Sequence, residues 1–98
     1  MIAIFRPQAV EDVFEAAVWY EAHAPGLGEQ LIEQILAATR RAQENPELFP
    51  VVYRDGSVRR ILTKRFPYRI FFSVVGKTLY VHAVLHGARH DRRWTERL

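Results

Sequence analysis

Arginine and histidine crowd the second half of this 98-residue chain, and they are its side chains best suited to act on a polyanion. Arg59, Arg60, Lys64, Arg65, Arg92, Arg93 and Arg97 form a basic set. With Phe71, Tyr80 and Trp94 that set could hold single-stranded nucleic acid by charge and stacking, or it could dock an acidic protein surface. Arg69 stands apart because it falls on a strand beside an alternating apolar set. A guanidinium stays charged and grips phosphate or carboxylate oxygens two at a time. His82, His86 and His90 follow within nine residues. An imidazole titrates near neutrality, so it could take a proton from a ribose 2′-hydroxyl or return one to a leaving oxygen. No carboxylate or cysteine accompanies these histidines at ligand spacing, so neither a metal nor a cofactor is expected. The absence of cysteine also removes a thiolate nucleophile and a disulfide framework.

The net charge of +3 conceals a strong asymmetry. Residues 1–50 carry three Lys/Arg against eight Asp/Glu, and residues 51–98 carry eleven against three. Such a division suggests a polyanion or an acidic protein as partner of the second half. Hydrophobic residues make up 49% of the chain, a globular composition with room for one domain spanning residues 1–98. The start, Met1 to Pro7, is too short and too soon interrupted for a signal peptide. No apolar run approaches the roughly 20 residues a membrane span needs, so the cytoplasm is the expected location.

The elements that must position these residues follow from periodicity. Ile2 to Phe5 reads as a short strand stopped by Pro7. From Gln8 the apolar residues Val10, Val13, Phe14, Ala17 and Val18 recur at helical spacing, predicting a helix that ends near His23, before Pro25-Gly26-Leu27-Gly28. Leu27, Leu31, Ile32, Ile35, Leu36, Thr39 and Ala42 mark the stripe of a second helix, which runs out at Asn45-Pro46. Three strands are then expected, over Val58–Lys64, Tyr68–Val75 and Leu79–His86, the last two joined by a tight turn at Gly76-Lys77-Thr78. Alternation puts Tyr68, Ile70, Phe72 and Val74 opposite Arg69, Phe71 and Ser73. In the last strand Leu79, Val81, Ala83 and Leu85 oppose Tyr80, His82, Val84 and His86. The expected fold is α+β, in the order β-α-α-β-β-β with a basic tail: a helical hairpin on one face of a small, mostly antiparallel sheet, with the second face at least partly open.

Several stretches in this order resemble the RelE/ParE superfamily of bacterial toxins along nearly the whole chain. They are Trp19-Tyr20-Glu21, Pro25-Gly26-Leu27-Gly28, Asn45-Pro46-Glu47-Leu48-Phe49-Pro50, Val58-Arg59-Arg60, Arg65-Phe66-Pro67-Tyr68-Arg69-Ile70 and Ala83-Val84-Leu85-His86-Gly87-Ala88-Arg89, followed by Arg92, Arg93 and Trp94. The resemblance implies the toxin of a type II toxin–antitoxin pair, wrapped by a partly disordered acidic antitoxin segment and meeting operator DNA only through that antitoxin. RelE-like members cut messenger RNA on the ribosome; ParE-like members inhibit DNA gyrase by binding. In the RelE-like case the resemblance makes Arg69 the holder of the scissile phosphate and Arg89 the second catalytic arginine, with His86 or His90 as proton carrier. RelE-like enzymes usually carry lysines before the strand arginine and a tyrosine near the C-terminus. Here only Lys64 precedes Arg69 nearby, Arg65 holds its proton too firmly to act as a base, and the tail aromatic is Trp94. Those departures point to the ParE-like mechanism, in which Arg59, Arg60, Lys64, Arg65, Arg69, Arg92, Arg93 and Trp94 bind target or antitoxin. A RelE-like endoribonuclease and a non-toxic binding module of the same fold are the alternatives.

Overall fold

The computed structural model describes residues 1–53, 56–87, 95 and 97. Strand β1 (Ile2–Phe5) leads into helix α1 (Pro7–His23), whose proline occupies a first-turn position where its missing N–H costs nothing. Helix α2 (Leu27–Glu44) follows after three residues, and a 3₁₀ turn (Pro46–Leu48) takes the chain to β2 (Arg59–Leu62), β3 (Tyr68–Val75) and β4 (Thr78–His86). The sheet order is β1-β4-β3-β2, with β1 parallel to β4 and the other pairs antiparallel. This is the expected α+β arrangement.

The hairpin turn is built by Glu21. Its carboxylate accepts from the N–H groups of Gly26 (3.0 Å) and Gly28 (3.0 Å), at the amino end of α2 where four donors lack intrahelical partners. Gly26 takes φ +88°, which favours glycine. Gly28 is needed for close approach, because a Cβ there would lie 2.6 Å from the Ala17 carbonyl oxygen.

Helix α1 meets the sheet through small residues. Ala9, Ala16 and Ala17 of α1 are buried, whereas Val10, Phe14 and Val18 stay exposed. The apolar periodicity of α1 therefore covers two stripes, of which the sheet takes the alanine one. Alanine lets the helix axis come close, and Leu31, Ile35, Ala38, Ile61, Ile70, Phe72, Leu79 and Val81 complete that core.

Two sequence expectations change here. Strand β2 is shorter than Val58–Lys64, because at Thr63 the chain turns back on itself: the Thr63 hydroxyl donates to the Phe66 carbonyl and accepts from the Tyr68 N–H. The faces of β4 also change partway along. Phe71 pairs with Ala83 while the next residue, Phe72, pairs with Val81, leaving His82 as an extra residue. Such a bulge flips every later side chain to the other face. Leu79 and Val81 face the helices as expected, but beyond the bulge Val84 joins that core, while Ala83 and Leu85 pack on the far side with Val58 and Phe71.

Candidate functional site

The far face of the sheet carries the strand arginines. Arg60 of β2 lies opposite Phe71 of β3, and Arg69 precedes Phe71 by two residues, so both guanidinium groups project from one face of adjacent strands. The Arg69 guanidinium carbon is 5.8 Å from the Phe71 ring centroid. Both arginines are half-buried, and the Arg60 Nε is buried with no hydrogen-bond partner among the described residues. A donor left so seeks an acceptor such as a carboxylate or phosphate oxygen. The centre of the face is closed, however. Phe71 is 1% exposed beneath Val52 and Val58, so it is unavailable for stacking on a base. Lys64 and Arg65 are exposed on the β2–β3 connection, near the same end. Arg59 points the other way and donates to the Phe49 carbonyl at 2.7 Å, so its guanidinium ties the 3₁₀ turn to the sheet.

The histidines are separated. His82 is buried and shares a 2.6 Å hydrogen bond between its Nε2 and the Ser73 hydroxyl. Burial, and then the positive charge of Arg6, push its pKa below the ordinary 6.5, so the ring is neutral at physiological pH. His86 follows the bulge to the helix side. Its ring packs against Tyr68 at 5.5 Å and lines a cleft of about 370 Å³ with Asp12, Glu15, Trp19, Tyr20 and Tyr68. Arg69 is across the sheet from it. The expectation that His82 and His86 share the face of Arg69 is thereby corrected for His86, while His82, bonded to Ser73, stays on that face. Arg89, His90, Arg92, Arg93 and Trp94 lie outside the described residues. Among the described residues, no group of three or more His, Cys, Asp or Glu side chains could hold a metal.

Arg97 does not belong to the basic patch. Its guanidinium holds Asp12 of α1 through two contacts of 2.6 and 2.9 Å, and it also donates to the His82 carbonyl at 3.1 Å. The hydrogen bond to Asp12 raises the Arg97 pKa against the opposing effect of burial. Asp12 in turn accepts from the Val84 N–H at 2.9 Å. Sequence reasoning saw in Asp12 only an acidic residue suited to the start of the helix, since nothing local links it to a residue 85 positions away.

A second surface lies on the hairpin. Val10, Phe14 and Val18 of α1 are 52%, 69% and 54% exposed, and Ile32 and Leu36 of α2 are also exposed. Between the helices Phe5, Val10, Val13, Phe14, Ile32, Ile35 and Leu36 line an almost wholly apolar groove of about 220 Å³. Glu11, Glu15 and Glu33 of the same two helices are also exposed. An apolar stripe exposed on so small a domain is a candidate protein-binding surface. The sequence signal for it was the apolar spacing that predicted the helices themselves.

Residues 3–91 match the family described as the ParE toxin of the type II toxin–antitoxin system parDE. The chain belongs to the ParE toxin family. It is thus the toxin type of a type II toxin–antitoxin system, a class that comes with an antitoxin partner. The fold agrees with a solved chain of the chromosomal ParDE toxin–antitoxin system from P. aeruginosa, at TM-score 0.77 and 17% identity over 88% of this chain and 95% of that one. No curated protein matches this chain by sequence. Among the described residues, no helix is long and apolar enough to cross a membrane.

Proposed function

We propose that this ParE-family toxin acts in the cytoplasm by binding DNA gyrase, without chemistry of its own, and that an antitoxin segment silences it. The observation that carries the proposal is that His86 faces the helices, across the sheet from Arg69, while His82 is buried and bonded to Ser73. A nuclease needs a phosphate-gripping cation and a proton carrier within reach of one scissile bond. Here His82 is buried with its Nε2 engaged by the Ser73 hydroxyl, and His86 sits across the sheet. Arg60, Lys64, Arg65 and Arg69, with Arg89, Arg92, Arg93 and Trp94 of the tail, then serve as a cationic contact surface rather than as a catalytic set. Arg59, turned to Phe49, supports that surface from behind.

The hairpin groove suits the antitoxin. An amphipathic helix would bury its apolar face against Phe14 and Leu36 and set basic side chains beside Glu11, Glu15 and Glu33. An acidic stretch of the same partner would reach the arginines of the sheet face.

The test is a pulse-labelling of DNA and protein synthesis in the first minutes after induction, paired with a gyrase supercoiling assay on the purified chain. DNA synthesis falls first and supercoiling is inhibited if the proposal is right. If translation stops first, with cleaved messenger RNA that disappears in Arg69→Ala, the gyrase reading is wrong and the endoribonuclease one replaces it.

A further inference from the structure

We infer that Arg6, Ser73, Tyr80 and His82 form a subsite for a backbone phosphate of DNA, on the face of the sheet turned away from the helices. Strand register gathers the four. Ile4 of β1 lies opposite Tyr80 of β4, and Tyr80 lies opposite Ser73 of β3. Phe5 and Val81, the next pair along, pack into the helix-side core. Arg6, one residue further, therefore shares the side of Ile4 and Tyr80. Its guanidinium carbon stands 5.8 Å from the Tyr80 ring centroid, and its backbone N–H donates to the Val81 carbonyl. His82, the extra residue of the β4 bulge, reaches Ser73 on the same face, Nε2 to Oγ at 2.6 Å.

The cluster has donors to spare. Arg6 is exposed, and among the described residues no carboxylate takes its guanidinium, which rests on the Tyr80 ring. That contact limits the orientations of the guanidinium without using its N–H groups, so its fork stays available to an anion. Burial, and then the Arg6 charge, lower the His82 pKa, so the ring is neutral and carries one N–H. With that proton on Nε2, the ring donates to the Ser73 oxygen and leaves the Ser73 hydroxyl to donate outward. A phosphate group has acceptor sites for the arginine fork and this hydroxyl at once. The site is open, with Arg6 exposed and Ser73 and Tyr80 half-buried. A small ligand needs a cavity that buries most of its surface, whereas a phosphate carried on a polymer does not. Arg60 and Arg69 project from the same face on β2 and β3, so a polyanion lying across the sheet meets further cations there. Contacts from arginine and serine to the DNA backbone position a protein without reading sequence.

The test follows binding of a short mixed-sequence DNA duplex to the purified full-length chain by fluorescence anisotropy, across a series of salt concentrations. Thermal melting of each variant confirms that it folds. Arg6→Gln should weaken binding about tenfold at low salt, the loss of one charge-assisted contact. It should also reduce the slope of log affinity against log salt by roughly 0.9, the value for one phosphate. Arg6→Lys should keep the slope and lose part of the affinity. Ser73→Ala should weaken binding about fivefold with the slope unchanged, and Ser73→Thr, which keeps the hydroxyl, should restore it. Arg40→Gln, at an exposed arginine of α2, should change neither quantity. Absence of duplex binding by the parent chain at low salt overturns the inference. So does an Arg6→Gln effect no larger than that of Arg40→Gln, which would mean diffuse charge rather than a site. Displacement of the duplex by polyglutamate at equal charge also overturns it, in favour of an acidic protein surface as the occupant. Gyrase is absent from this assay, so its result stands whether or not the gyrase proposal does.

Discussion

Replacing Gly28 by alanine opposes a local preference to a tertiary contact, and the two differ in sign. Gly28 is the second residue of α2 and has an ordinary helical backbone, so helix propensity alone makes Gly28→Ala stabilising by about 1 kcal/mol. The added Cβ, however, would sit 2.6 Å from the Ala17 carbonyl oxygen and 3.2 Å from the Glu21 Cβ. Ordinary contact begins near 3.4 Å, so α1 and α2 must part by roughly 0.8 Å. Overpacking of this kind costs about 1–3 kcal/mol. Parting the helices also stretches the 3.0 Å hydrogen bond from the Gly28 N–H to Glu21, worth about 1 kcal/mol or more because its acceptor is charged. The net expectation is a destabilisation of about 2 kcal/mol, which lowers the melting midpoint by about 10 °C in a domain of this length. Thermal and urea unfolding of the purified, antitoxin-free chain, followed by circular dichroism, reads both quantities. A midpoint equal to or above that of the parent would refute the close-approach account and leave propensity in charge.

Two further predictions concern the binding surface and pH. Phe14→Glu places a charge where 69% of the side chain meets water, so the fold and toxicity should survive. Antitoxin affinity should fall by about 2 kcal/mol, roughly 30-fold, and co-expressed antitoxin should no longer rescue growth; full rescue would remove the hairpin groove as the docking site. The pH prediction follows from His82, whose native pKa lies below the unfolded value of 6.5. Between those values the unfolded chain binds a proton that the native chain refuses. Its contribution is thus complete above pH 6.5 and declines as pH falls toward the lowered native value. Chemical unfolding across that range should show the decline in the parent and a flatter profile in His82→Gln; matching profiles would remove His82 as its source.

What the sequence determined by itself was local. The periods of Val10–Val18, Leu27–Ala42 and Tyr68–Val75, with the breakers Pro25-Gly26 and Asn45-Pro46, suffice for the order and type of the elements, because helix and strand period are properties of neighbouring residues. The choice of face was not local. On α1 an alanine stripe and a Val/Phe stripe lie side by side, and only the close approach of the helix to the sheet decides that the alanines go in. On β4 the run Ala83-Val84-Leu85 is apolar in both alternating sets, so its sequence tolerates either facing. The bulge at His82 chose between them and sent His86 away from Arg69, through pairing with a strand that has its own turn and register to keep. The ion pair of Asp12 and Arg97 belongs to the same class. Charge patterning could assign Arg97 only to a basic tail, since the carboxylate that claims it is brought alongside by the packing of α1 on the edge of β4.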